Sequence, residues 1–313
     1  MLIDLALVVG GLVMLLVAGD FLVRGAVNLA LRLGIPAMMV GMTVVAFGTS
    51  APELLVSVKA VLRDAGGLAL GNVVGSNIAN ILLVIGLPAL IAPMVMGRES
   101  LRDMWIMLAA TAVFVALAMT GAIGTWQALV LLLAFAIFMA ESVLRARKGR
   151  VAPEDLEGAD PALPAGRLAL YLALGLAGLP LGAHLLVTGA VDIATSLGVS
   201  DLVIGLTIVA IGTSLPELAT TLMAAIRREG GVALGNILGS NIFNLLFILG
   251  VAGLFGTMTI PAEMLRLDLW VMVAAALVVM PFIWSGRAIG RIAGLALLLG
   301  YAIYIWLLFA NGG

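Results

Sequence analysis

The chain has 313 residues, of which 63% are apolar and 11% are charged; its formal net charge is −1 and its mean hydropathy is +1.24. A typical soluble domain has about 25% charged residues, so this composition predicts an integral membrane protein and excludes a water-soluble one. The absence of cysteine excludes disulfides, cysteine-ligated zinc and thiol catalysis, and the single histidine excludes a polyhistidine metal site.

Ten membrane spans are predicted along the chain, because a helix needs about 20 apolar residues to cross the hydrocarbon core of a bilayer. The one long polar stretch, 146–166, is rich in charge, Pro and Gly and is predicted to be a cytoplasmic linker. It separates two sets of five spans, 1–145 and 167–313. The predicted spans are 2–22, 36–62, 68–93, 101–120, 124–145, 167–188, 200–226, 232–256, 265–284 and 288–309.

The two sets are copies of one another when the chain is shifted by 164 residues without gaps. Residues 41–57 and 205–221 are identical at 10 of 17 positions, and residues 67–86 and 231–250 at 12 of 20. The identity is concentrated in the second and third span of each set, within regions 41–80 and 205–244. Those spans are therefore expected to hold the functional residues.

Five spans per copy is an odd number, so the second copy is predicted to be inverted in the membrane relative to the first. With the N-terminus outside, 13 of the 16 basic residues fall on the cytoplasmic side, and only Lys59, Arg63 and Arg266 fall outside. The positive-inside rule therefore predicts that both termini lie outside, and we expect a multi-pass protein of the plasma (inner) membrane. Inverted repeats are typical of transporters that bind their substrate near the midplane.

An acidic motif occurs in the second span of each copy: GTSAPE at residues 48–53 and GTSLPE at residues 212–217. Pro52 and Pro216 lack a backbone N–H, which predicts kinked or broken helices with carbonyls available to a cation near Ala46 and Ala210. A proline kink with Ser/Thr back-bonding would explain the rest of the motif. It would not require an acid, which costs roughly 3 kcal/mol or more inside a membrane.

The third span of each copy carries a polar stripe, because its polar residues recur every four positions on one helical face. The Gly-xxx-Gly pairs beside the stripe are interpreted as close helix packing. Asn77 and Asn241 are rotated off the stripe and are interpreted as structural. The stripe residues are Asn72, Ser76 and Asn80 in the first copy and Asn236, Ser240 and Asn244 in the second.

Carboxylates, hydroxyls, amides and carbonyls form an all-oxygen ligand set, which suits hard cations such as Ca²⁺ and Na⁺. Two buried carboxylates are balanced by one divalent ion or by two or three monovalent ions. One pocket could therefore hold either cargo but not both, which is a physical basis for exchange.

The paired motifs GTSAPE with GNVVGSNIAN and GTSLPE with GNILGSNIFN resemble the repeats of the Na⁺/Ca²⁺ exchanger family, in its compact prokaryotic form within the cation/Ca²⁺ antiporter superfamily. The resemblance implies that Glu53 and Glu217 ligate Ca²⁺ and share in Na⁺ binding, joined by Thr49 and Thr213. It also implies alternating access by sliding of the first and sixth spans. The other implied Na⁺ or central-site ligands are Ser50, Ser214, Ser76, Ser240, Asn80, Asn244 and the carbonyls of Ala46 and Ala210.

One position departs from part of the family: some members carry Asp where this chain has Asn244. In K⁺-dependent exchangers that carboxylate takes part in K⁺ use. The amide at this position therefore predicts exchange that does not depend on K⁺.

The function that these features favour is a secondary antiporter, not an enzyme, that exchanges Na⁺ for Ca²⁺. The alternative is an antiporter of H⁺ and Ca²⁺, or of another divalent cation, that uses the same glutamates. A passive cation channel and an intramembrane acid-pair hydrolase are weaker alternatives. The expected partners are the two ions and the lipid bilayer, with no cofactor, no nucleic acid and no obligate protein partner.

Overall fold

The computed structural model describes residues 2–95, 97, 100–148, 160, 162–197 and 210–312. These residues are almost entirely helical, as the composition predicts. The helices of the first half are α1 (Leu2–Leu33), α2 (Ala37–Thr49), α3 (Ala51–Val61), α4 (Gly66–Ile91), α5 (Leu101–Ala118) and α6 (Thr125–Lys148).

The second half repeats this order with small differences in where helices are interrupted. Its helices are α7 (Ala165–Ser196), α8 (Ala210–Thr213), α9 (Leu215–Ile226), α10 (Gly230–Phe255), α11 (Met264–Ser285) and α12 (Arg291–Gly312). Two short strands, β1 (Ala122–Ile123) and β2 (Met258–Thr259), pair antiparallel with Ala122 opposite Thr259.

Within the described residues, three wide π-helical turns interrupt the regular α-helix geometry. They cover Gly41–Val45 in α2, Phe243–Ile248 in α10 and Met264–Asp268 at the start of α11. The sequence analysis did not predict them. Such turns occur frequently at functional sites, because they change the direction in which the following side chains point.

Within the described residues, eight helices are long and apolar enough to cross a membrane, or nine if α2 and α3 form one bent span. The bent pair corresponds to the second predicted span. The seventh predicted span, 200–226, begins outside the described residues, as does the second motif region, 205–244. Most of the predicted linker, 146–166, also lies outside them. Ten spans therefore stay a prediction.

The ends predicted for the first and sixth spans are wrong, since α1 and α7 each have 32 residues. The predicted end of the first span, residue 22, lies between the charged residues Asp20 and Arg24, but this pair does not end the helix. Instead, Asp20 and Arg24 form an ion pair one helical turn apart, at 3.0 Å, and Asn28 donates to the Arg24 carbonyl at 2.9 Å. Because these groups satisfy one another, the helix continues past them.

The chain divides into two compact units, each of which contains segments of both halves. The first unit, within 1–52 and 149–236, is built on α1 and α7, which pack at backbone distance. A Cβ atom at Gly11 would lie 2.5 Å from the Leu186 nitrogen, and one at Gly175 would lie 2.6 Å from the Leu22 Cβ. Small residues at such contacts are how membrane helices approach closely.

The second unit comprises the described residues within 53–148 and 237–313. Here α4 packs on α12, with Gly86 next to the Gly294 carbonyl, and α6 packs on α10 around the aromatic cluster of Phe135, Phe243 and Phe247. Arg145 near the end of α6 pairs with Asp103 at the start of α5. This unit therefore holds the third predicted span inside a well-packed set of helices.

Candidate functional site

The acidic motif of each half lies at a helix interruption with the same local conformation. Ser50 ends α2 with φ −86° and ψ 7°, and Ser214 precedes α9 with φ −87° and ψ 3°. Pro52 and Pro216 fall in the first turn of the helix that follows, where a missing N–H costs no hydrogen bond. The bend predicted for the second span is confirmed, because α2 and α3 are bent by 46° at Ser50.

The carbonyl of Ala46 has hydrogen-bond donors of its own, although the proline was predicted to free it. It accepts from the backbone N–H of Ser50 at 3.0 Å and from the hydroxyl of Thr49 at 3.3 Å. The break at Ser50 follows this last regular hydrogen bond of α2, so the proline does not expose the Ala46 carbonyl.

Both motif glutamates are fully buried. In the first unit, the hydroxyl of Ser50 donates to Oε1 of Glu217 at 2.9 Å. Ser50 belongs to the first motif and Glu217 to the second, 167 residues later. The fold therefore brings a hydroxyl of one sequence repeat to the acid of the other.

The backbone carbonyl of each motif glutamate accepts a hydrogen bond from an asparagine, which also donates to a hydroxyl one turn further along the motif helix. In the second unit, Nδ2 of Asn72 donates to the Glu53 carbonyl at 3.3 Å and to the Ser57 hydroxyl at 3.0 Å. In the first unit, Nδ2 of Asn236 donates to the Glu217 carbonyl at 3.4 Å and to the hydroxyl of Thr221 at 3.1 Å. The two halves therefore repeat in their hydrogen bonds as well as in their sequence.

Asn72 and Asn236 of the polar stripe turn their amide nitrogens toward the motif helices. Oδ1 of Asn236 is engaged too: it accepts from the Thr49 hydroxyl at 3.1 Å. Asn236 thus links Thr49 of the first motif to the backbone of Glu217. Buried amide groups need hydrogen-bond partners, and these two find theirs on the motif helices.

The remaining residues of the predicted set are also buried or partly buried. Ser214, Ser76, Ser240, Asn80 and Asn244 are at most 4% exposed, and Thr213 is partly buried. Ala210 is the first residue of α8, and its side chain lies outside the described part of the chain.

Several buried polar atoms of this set have no hydrogen-bond partner within the described residues. They are the Ser214 hydroxyl, Oδ1 of Asn80 and both amide atoms of Asn244. Buried polar atoms are almost always paired with protein, water or a ligand. Oxygen atoms in this condition are suited to receive a cation.

Asn241, which was interpreted as structural, contacts Asn80 of the predicted ligand set. Its Oδ1 accepts from Nδ2 of Asn80 at 3.1 Å in the second unit. The projection onto an ideal helix placed it off the polar stripe, and a contact between residues 161 positions apart cannot be read from one helix. Its retention in both repeats, as Asn77 and Asn241, was the available signal.

The described residues contain no group of three or more His, Cys, Asp or Glu side chains that could hold a metal. A cation held here would therefore have to combine few carboxylates with neutral oxygen atoms. That combination is compatible with Ca²⁺ and Na⁺, which accept hydroxyl, amide and carbonyl ligands.

Comparison with known proteins gives a consistent result over the full length. The family model described as "Sodium/calcium exchanger protein" matches residues 3–144 and again residues 167–310. Among curated proteins, the chain is similar to the sodium/calcium exchanger MaX1 of Methanosarcina acetivorans, with 34% identity over 96% of both chains. It is also similar to the inner membrane protein YrbG of Escherichia coli, with 34% identity over 99% of this chain and 98% of YrbG.

The fold is similar to solved structures of the sodium-calcium exchanger NCX_Mj. For NCX_Mj soaked with zero Na⁺ and Ca²⁺, the TM-score is 0.86 at 33% identity, covering 98% of this chain and 99% of the other. For NCX_Mj soaked with 10 mM Na⁺ and 10 mM Sr²⁺, the TM-score is 0.84 at 34% identity, covering 97% and 98%.

Proposed function

Because this chain belongs to the sodium/calcium exchanger family, we propose that it exchanges Na⁺ for Ca²⁺ by alternating access through a midplane site built around Glu53 and Glu217. The observation that carries the proposal is the hydrogen bond from Ser50 to the buried Glu217, which joins the two motifs. A buried acid in a chain of this hydropathy is costly while it is charged, and a bound cation or a proton offsets that cost.

Exchange follows from the charge balance of two buried acids. One Ca²⁺ neutralises both carboxylates, and so do two Na⁺ ions, while a third Na⁺ leaves the site with a small positive charge. Simultaneous occupation by Ca²⁺ and several Na⁺ ions would leave a large excess of positive charge in a low-dielectric interior, where charge repulsion is strong. The two cargoes therefore compete for one site.

The proposed ligands combine the two acids with neutral oxygen atoms from both repeats. Support comes from the Ser214 hydroxyl and the Asn80 and Asn244 amide oxygens, which have no protein partner in the described part of the chain. The Ala46 carbonyl already accepts two hydrogen bonds, so we expect it to bind Na⁺ only when the Thr49 hydroxyl turns away. The full proposed set is Glu53, Glu217, Thr49, Thr213, Ser50, Ser214, Ser76, Ser240, Asn80, Asn244, Ala46 and Ala210.

The proposed topology is ten spans in two inverted five-helix repeats, 1–145 and 167–313, with both termini outside the plasma (inner) membrane. The odd number of spans per repeat and the distribution of basic residues support it. Since the chain has no cysteine, single cysteines can be introduced and labelled without further changes. A cysteine in the linker that reacts with an impermeant thiol reagent from outside intact cells would contradict this topology.

The proposed coupling is tested by Ca²⁺ uptake into proteoliposomes. We expect uptake to require Na⁺ loaded inside and to stop when internal Na⁺ is replaced by choline. A pH gradient applied without Na⁺ distinguishes the alternative, because uptake driven by that gradient would indicate exchange of H⁺ and Ca²⁺. Uptake that needs neither gradient would indicate a channel and would contradict the proposal.

A further inference from the structure

The second unit contains a chain of three buried side chains that ends at a proposed ion ligand. Nδ2 of Asn80 donates to Oδ1 of Asn241 at 3.1 Å, and Nδ2 of Asn241 contacts the sulfur of Met107 at 3.7 Å. Asn80, Asn241 and Met107 are 1%, 3% and 0% exposed. The contacts join α4, α10 and α5, so the orientation of the Asn80 amide is fixed by two other helices.

The equivalent residues of the other repeat are arranged differently. Asn77, which matches Asn241, donates to the Val73 carbonyl of its own helix at 2.7 Å. Asn244, which matches Asn80, has no partner for either amide atom within the described residues. A π-helical turn begins at Phe243, one residue before Asn244. The Asn80 amide is therefore held by a hydrogen bond, whereas no described residue holds the Asn244 amide.

Holding the amide nitrogen of Asn80 determines where its oxygen lies. An asparagine amide has donors on one arm and an acceptor on the other, so a partner that accepts from Nδ2 leaves Oδ1 free to bind a cation. Oδ1 of Asn80 is buried and has no hydrogen-bond partner in the described part of the chain. The order Met107, Asn241, Asn80 is the arrangement by which outer residues orient a metal ligand.

We propose that Asn241 is a positioning residue that presents the Asn80 carbonyl oxygen to Na⁺ and that Met107 supports it. This inference rests on the proposed function, in which Asn80 is a Na⁺ ligand. Asn241 does not bind the ion, so its effect passes through Asn80. The matching Asn77 has no such role, because its amide nitrogen donates to its own helix and no hydrogen bond joins it to Asn244 within the described residues.

The test compares matched substitutions at these two positions by Na⁺-dependent Ca²⁺ uptake. Asn241→Leu removes the acceptor for Asn80, and we expect it to raise the half-saturating Na⁺ concentration by about 10-fold or more. Asn77→Leu should leave this concentration within about 2-fold of the wild type, because the Asn77 amide nitrogen donates to its own helix. Loss of a residue that orients a metal ligand usually costs about 10-fold or more. Equal shifts in the two leucine variants would overturn the proposal.

A second pair keeps the test decisive if a leucine variant does not fold. Asn241→Asp retains an acceptor for Nδ2 of Asn80, and Asn77→Asp adds the same charge without that contact. We expect Na⁺ activation to be similar in the two aspartate variants. A loss of Na⁺ affinity in Asn241→Asp alone would contradict the assigned direction of the hydrogen bond.

A double substitution separates positioning from a general effect on folding. Once Asn80 is replaced by Ala, adding Asn241→Leu should change the half-saturating Na⁺ concentration no further, because coupled residues are not additive. Fully additive effects would overturn the inference. Normal exchange by Glu217→Gln would instead show that the proposed function is wrong, so the two failures are distinguishable.

Discussion

The hydroxyl of Ser50 and the carboxylate of Glu217 meet at 2.9 Å, although they lie 167 residues apart in the chain. A hydrogen bond to a charged group in a buried position contributes more than an ordinary one, about 1.5–3 kcal/mol. The same hydroxyl can turn its oxygen to a cation that arrives at the acid. Ser50 is therefore expected to influence ion affinity as well as protein stability.

Replacement of Ser50 by Ala tests this expectation. The change removes one oxygen ligand and the donor to Glu217, and we expect the half-saturating Na⁺ concentration to rise about 10-fold, the effect of roughly 1.4 kcal/mol. The measurement is Ca²⁺ uptake into proteoliposomes at varied internal Na⁺. Ser142→Ala is the matched control, because Ser142 is also buried, at 4% exposure, and lies outside both motifs. A shift of the same size in both variants would contradict the assignment.

At the scale of helices, the contact between α1 and α7 depends on glycine at a few positions. Gly11 faces the backbone of Leu186 and Gly182, whereas Gly10 is exposed and has no described atom within 4 Å of its Cβ direction. Neighbouring glycines in one helix thus have opposite surroundings. This contact uses close backbone approach and not large interlocking side chains.

The pair Gly11→Ala and Gly10→Ala tests the packing of α1. A methyl group at Gly11 would lie 2.5 Å from the Leu186 nitrogen, and overpacking of this kind costs about 1–3 kcal/mol. We expect Gly11→Ala to lower the unfolding temperature in detergent by several degrees and to reduce transport. Gly10→Ala should leave both unchanged, since its methyl group would point toward lipid. Equal unfolding temperatures for the two variants would argue against this contact.

The elements that sequence could predict are those with a local chemical signal. Pro52 and Pro216 predicted interruptions close to where Ser50 and Ser214 break the helix. The π-helical turn at Phe243–Ile248 has no such signal, because it contains neither proline nor glycine. It follows directly after Ile242, so the regular periodicity that predicted the polar stripe ends before Asn244.

The Gly-xxx-Gly patterns also show that a local sequence pattern does not identify the neighbours of a residue. A Cβ at Gly235 would lie 2.4 Å from the Met38 carbonyl, so the close packing predicted there is confirmed. The matching Gly71 meets no described atom within 4 Å. Identical residues in the two repeats therefore have different neighbours among the described residues, and only the fold can tell them apart. Asn72 and Asn236, in contrast, are matching residues with matching neighbours, because their amide nitrogens make equivalent hydrogen bonds in the two repeats.

At the scale of the whole molecule, the boundaries of the two sequence repeats differ from the boundaries of the two compact units. Each compact unit takes segments from both halves, whereas the family model matches each half separately. Ser50 with Glu217 in one unit and Asn80 with Asn241 in the other are both contacts between repeats. Each of these contacts brings residues of the two sequence repeats together within one unit.

The central claim is that Na⁺ and Ca²⁺ compete for one site that requires both motif acids. Equilibrium binding of radioactive Ca²⁺ to the purified protein, titrated with Na⁺ without any transport, tests it most directly. We expect Na⁺ to displace Ca²⁺ fully and cooperatively, and Glu53→Gln and Glu217→Gln each to abolish Ca²⁺ binding while the protein stays folded. Ca²⁺ that remains bound at saturating Na⁺, or that binds normally to either glutamine variant, would contradict the account.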